Sequence, residues 1–106
     1  MLTATTPSIA ERPTRQTLGV VTGEAIIGAH LFRDLFASVR DIVGGRAGSY
    51  EEVLREARTI ALKEMTEEAQ RLGADAVVGV DLDYETLGAD NGMMMVTATG
   101  TAVKLG

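Results

Sequence analysis

Acidic side chains at period two, a lone histidine and a glycine-rich turn bearing an arginine are the residues of this sequence with chemistry to offer. Asp81, Asp83 and Glu85 alternate along a strand-like run, which puts them on one face with about 6.5–7 Å between successive residues. Such a ladder can attract a hard cation such as Ca2+ or Mg2+; it is equally what the solvated side of a half-buried antiparallel strand looks like. Glu64 and Glu68 stand one helical turn apart on the flank of an apolar stripe. A carboxylate pair there could bind a metal or carry acid–base chemistry, or form the rim of a subunit interface. His30 is the only histidine. As an imidazole ligand it would need carboxylates or a second subunit's histidine beside it; otherwise it is a polar residue near a helix start. These six residues are the metal candidates, and a divalent transition metal is the cofactor they could serve. Met93, Met94 and Met95 could offer thioethers to Cu(I), but only the outer two share a strand face, and core or interface filling is the usual role of methionine.

The most distinctive segment is Gly44-Gly45-Arg46-Ala47-Gly48-Ser49-Tyr50. A glycine-rich turn that leads into a helix N-terminus and carries an arginine suits an anion. Gly45, Arg46, Ser49 and Tyr50 are the anion or small-molecule candidates, with Glu24 and Asp34 as structural partners. The spacing lacks a Walker lysine and does not follow a strand, so it is not a nucleotide loop. Its alternative role is a turn between helices, with Arg46 paired to a carboxylate. No nucleophile–base–orienter set can be assembled from one histidine, no cysteine and no signature around any serine, so the chain is not expected to be an enzyme.

Composition narrows the partners. The chain has 106 residues, 45% of them hydrophobic, enough for one core and no more; residues 1–106 are expected to form one domain with an arm over 1–16. Aromatics are 4%, so Val, Leu, Ile, Ala and Met must fill that core. Ten basic against fifteen acidic residues give a net charge of -5. With no basic face and few stacking aromatics, nucleic acid is not an expected partner. No apolar run could span a bilayer and no signal pattern opens the chain, which with the absence of cysteine points to the cytoplasm. So small a chain gains much from burying surface against a copy of itself.

The elements that must position these residues follow from periodicity. A short strand is predicted near Leu2–Thr5, and a long one over Thr17–Ala29 with Leu18, Val20 and Ile26 on one parity and Val21, Ala25 and Ile27 on the other. Leu31–Val43 has helical spacing and a wide apolar stripe, ended by Gly44 as a cap. Ser49 and Glu52 form a capping box for a second helix that runs to about Leu72 and stops at Gly73. Its apolar face carries Leu54, Ala57, Ala61, Met65 and Leu72. Ala74–Thr86 alternates again, with Ala76, Val78, Val80, Leu82 and Tyr84 opposite the acidic ladder. A turn at Gly88–Gly92 joins it to Met93–Leu105, where Met94, Val96, Ala98 and Ala102 oppose Thr97, Thr99 and Thr101. The order strand, strand, helix, helix, strand, strand implies a two-layer α+β fold, an antiparallel sheet with both helices on one face.

Several segments in order resemble a known family. They are Leu18-Gly19-Val20-Val21-Thr22-Gly23-Glu24-Ala25, Asp34, Arg40-Asp41-Ile42-Val43-Gly44-Gly45-Arg46, Ser49-Tyr50, Ala57-Arg58, Ala61-Leu62, Leu72-Gly73-Ala74-Asp75-Ala76-Val77-Val78-Gly79-Val80 and Val96-Thr97-Ala98-Thr99-Gly100-Thr101-Ala102-Val103. Together they resemble the YbjQ-like family of small bacterial and archaeal proteins, labelled "putative heavy-metal-binding domain". The resemblance covers nearly the whole chain, with Asp75 where the family often has Asn. It implies a dodecin-like α+β subunit in a ring-shaped homo-oligomer, a pentamer, acting as a non-enzymatic binding or scaffold protein. Binding of a metal at subunit interfaces, or of an anion or small molecule by the ring, are the alternatives.

Overall fold

The computed structural model describes residues 1–28, 48–87 and 93–106. Within them run β1 (Leu2–Thr3), β2 (Thr14–Ile27), α1 (Gly48–Arg71), β3 (Ala76–Leu87) and β4 (Met93–Leu105). The strands form one sheet in the order β1-β3-β4-β2. β4 pairs antiparallel with both β2 and β3, whereas β1 runs parallel to β3. The architecture is α+β as expected, but the sheet is mixed and not antiparallel throughout. A parallel neighbour needs a long connection, and β1 and β3 have one because β2 and α1 lie between them in the chain. The helix expected over Leu31–Val43 and the turn at Gly88–Gly92 fall outside the described residues.

The single described helix packs on one face of the sheet because its inward residues are small. Ala57, Ala61, Met65 and Ala69 are buried at the i, i+4 spacing that lines one side of a helix. Leu54 only borders this core, and Leu72, expected on the same face, is 46% exposed beyond the last turn. The helix lies chiefly on β2, then β4, and barely reaches β3. At the crossing point stands Gly23: a Cβ there would collide with the Ala61 carbonyl oxygen and come within 2.6 Å of the Met65 nitrogen. The helix ends as the sequence predicts. Gly73 takes φ +82, its N–H donates to the Gln70 carbonyl at 2.9 Å, and the Ala74 N–H donates to Ala69 at 3.1 Å, the paired bonds of a Schellman stop.

The strands bury Val21, Ala25 and Ile27 of β2 with Met94, Val96, Ala98 and Ala102 of β4 beneath the helix. β3 departs from simple alternation. A register shift falls between Val78 and Asp81, where Gly79 adopts φ +61. One extra residue there turns every later side chain to the other face. Val77, Val80 and Leu82 therefore join the helix-side core. Ala76 and Val78, expected beside Val80, instead form a second cluster with Val103, Leu105 and Ile9 on the opposite face. The bulge is tied to the start of the chain: Gly79 N–H donates to Thr6 at 2.8 Å and Val80 N–H to Ala4 at 3.0 Å. Across from it Gly100 is obligatory, since a Cβ would sit 2.5 Å from Val77 Cγ1.

Candidate functional site

The face of the sheet turned away from α1 carries the densest chemistry in the described residues. Strand pairing sets its rungs: Val20–Thr101–Val78, Thr22–Thr99–Asp81, Glu24–Thr97–Asp83 and Ile26–Met95–Glu85. Asp81, Asp83 and Glu85 form the exposed ladder that the sequence predicts. Glu24 joins them on the Asp83 rung, two strands away across Thr97 and so about 9–10 Å distant. The sequence did not put Glu24 there, because only the β2–β4 register brings it opposite Asp83.

Asp83 is held above the usual carboxylate range of 3.8, first by a hydrogen bond shared with Asp81, then by the negative charge of Asp81, slight desolvation and the charge of Glu85. Neighbouring negative charges disfavour the charged form of a carboxyl. Large apolar side chains flank this strip: Val20 is 73% exposed, Ile26 60% and Met93 38%. Met94 is buried in the helix-side core and Met95 is half-buried on the acidic face, so the three methionines do not converge.

Glu64 and Glu68 stand in different surroundings. Glu64 is exposed with its Cβ near the Gly23 crossing, whereas a Glu68 carboxylate oxygen accepts the backbone N–H of Thr22 at 3.2 Å. Asp75 has a comparable structural task. Its Oδ2 accepts the Leu105 N–H at 2.9 Å, and asparagine could make the same bond with its carbonyl oxygen.

An apolar cleft of about 190 Å3 opens between the end of β2 and the first half of α1, bounded by Ala25, Ile27, Gly28, Val53, Ala57 and Ile60, with Glu56 at its rim. It is smaller than a typical drug-sized ligand site. His30, Gly45 and Arg46 lie outside the described residues; Ser49 and Tyr50 fall in the first turn of α1.

Comparison with known proteins gives the family. The model of the YbjQ_1 family, described as "Putative heavy-metal-binding", matches residues 1–106. The chain belongs to the YbjQ family. A crystal structure of a DUF74-family protein of unknown function from Pediococcus pentosaceus ATCC 25745 has a similar fold, with a TM-score of 0.66 at 15% identity, over 100% of this chain and 98% of that one. Set against its family description, this YbjQ chain offers few heavy-metal donors in its described part. Among the described residues no group of three or more His, Asp or Glu side chains is placed to hold an ion. The ladder supplies only oxygen donors along one strand, whereas borderline and soft metals favour nitrogen and sulfur. No helix among the described residues is long and apolar enough to cross a membrane.

Proposed function

We propose that this YbjQ-family chain is a non-enzymatic subunit of a homo-oligomeric binding or scaffold protein of the cytoplasm. One observation carries the reading: Val20 and Ile26, 73% and 60% exposed, stand on the sheet face that α1 does not cover. They stand at the two ends of that face, on the Thr101 and Met95 rungs, and large apolar side chains exposed there are surface that a second copy could bury. The layering supports this. Among the described residues one helix lies on one face of a four-stranded sheet, which leaves the other face without a layer of its own. The assembly is a ring of dodecin-like subunits, a pentamer, on the strength of the family resemblance.

A second reading is favoured by the crowding of Asp81, Asp83 and Glu85 on one strand face, which raises the pKa of Asp83. Carboxylates held against their mutual repulsion are relieved by a cation, and subunit symmetry would repeat the strip until several faced one ion, with His30 as a further ligand. The anion reading at Gly45, Arg46, Ser49 and Tyr50 keeps its basis in the glycine-rich sequence that precedes α1. Sedimentation velocity at micromolar concentration tests the leading proposal. A discrete oligomer supports it, and a stable monomer overturns it.

A further inference from the structure

The bond between Glu68 and Thr22 has a consequence for how copies of this chain can meet. Among the described residues β2 is an edge strand, and edge strands present unpaired N–H and C=O groups to any extended chain that approaches. Thr22 donates its N–H to Glu68 and not to β4, so the backbone groups of Thr22 point outward. By the two-residue repeat, those of Val20, Glu24 and Ile26 do too.

Glu68 reaches this edge from the helix-side face. Its position is fixed because Gly23, next to Thr22, lets the backbone of α1 at Ala61 and Met65 lie directly on the strand. The carboxylate therefore occupies the place an incoming strand's carbonyl would take. The rest of the edge is interrupted as well. Register shifts fall between Thr14 and Gln16 and between Thr17 and Gly19, and bulges of this kind bend an edge away from flat pairing. Thr22 lies within the long regular stretch of β2, Gly19–Ile27, and it is the residue that Glu68 covers.

We propose that Glu68 is an edge guard: it blocks strand addition at β2, so that association proceeds through the uncovered sheet face and stays closed. The proposal goes beyond the oligomeric reading and can fail separately from it.

The test compares wild type, Glu68→Gln and Glu68→Ala by amide hydrogen exchange at Thr22 and by light scattering across a concentration series. In wild type the Thr22 amide is protected. Glu68→Ala is expected to speed its exchange roughly tenfold or more, the range for loss of a charge-assisted hydrogen bond. It is also expected to produce open-ended species that grow with concentration. Glu68→Gln, which still offers a carbonyl oxygen, should fall between the two.

Adding Thr22→Pro to Glu68→Ala removes the exposed donor without removing a ladder bond and should return the protein to the wild-type species. Unchanged exchange in Glu68→Ala would show that the bond does not form in solution. Faster exchange with no change in assembly would show that it does not guard the edge. Either result overturns the proposal. If Glu68→Ala does not fold, persistence of the wild-type species in Glu68→Gln together with lost Thr22 protection would also overturn it. Wild type itself could prove monomeric, and the guard would still be tested by the growth of the variant.

Discussion

Replacing Gly23 with alanine drives a methyl group into the backbone of α1. The new Cβ would meet the Ala61 carbonyl oxygen, lie 2.6 Å from the Met65 nitrogen and 3.0 Å from Glu64 Cβ. Two of these neighbours are helix backbone, so the clash cannot be relieved by turning a side chain; the helix must lift from the sheet or tilt. Overpacking of this type costs typically 1–3 kcal/mol, and backbone obstruction puts Gly23→Ala toward the upper end. Better strand conformation of alanine returns only about 0.5–1 kcal/mol.

A net loss of about 2 kcal/mol, over an unfolding entropy of about 0.2 kcal/mol/K for a chain of this size, lowers Tm by roughly 10 °C. The assay is thermal unfolding followed by circular dichroism at one fixed protein concentration. Gly28→Ala serves as the control, because nothing lies within 4 Å of its added Cβ, and it should stay within about 0.5 kcal/mol of wild type. A Gly23→Ala protein as stable as the control would refute the claim that α1 rests on the backbone of β2 at this point.

The acidic strip and the uncovered face make two further predictions. Because Asp83 is raised above 3.8 by Asp81 and Glu85, the folded state binds its proton more tightly than the unfolded chain does. Its contribution to stability is therefore complete below 3.8 and lost as pH rises through the raised value. Asp83→Asn should flatten that part of a stability–pH profile measured by denaturant unfolding and make the protein more stable at neutral pH; an unchanged profile contradicts the upward shift of Asp83. Val20→Glu with Ile26→Glu, both at exposed positions, should leave the circular dichroism spectrum intact and reduce the assembly to smaller species in sedimentation. An unchanged assembly would move the interface elsewhere.

Local chemistry was legible in the sequence wherever neighbours in the chain decide the outcome. The helix stop at Gly73 follows from a residue free to take a left-handed φ, and the alternation of Met94, Val96 and Ala98 against Thr97 and Thr99 follows from one strand with one buried face. The acidic ladder was legible for the same reason. Alternation failed in β3, where Gly79 inserts a bulge and moves Ala76 and Val78 to the face opposite Val80 and Leu82. A glycine inside a strand signals a bulge without fixing which neighbours change sides.

Long-range pairings left still less trace. The parallel pairing of β1 with β3, the arrival of Glu24 on the Asp83 rung and the reach of Glu68 to Thr22, 46 residues away, depend on register between distant segments. The flank position of Glu68 on its helix was readable, and its partner was not.

Native mass spectrometry of untagged protein, before and after exposure to zinc, nickel and copper, tests the oligomeric binding reading most directly, because subunit number and bound mass appear in one spectrum. A single closed oligomer is the predicted result, and stoichiometric metal that survives mild chelation would raise the cation reading of the acidic face above the scaffold reading. A monomer at micromolar concentration would contradict the assignment of the Val20–Ile26 face as a subunit interface.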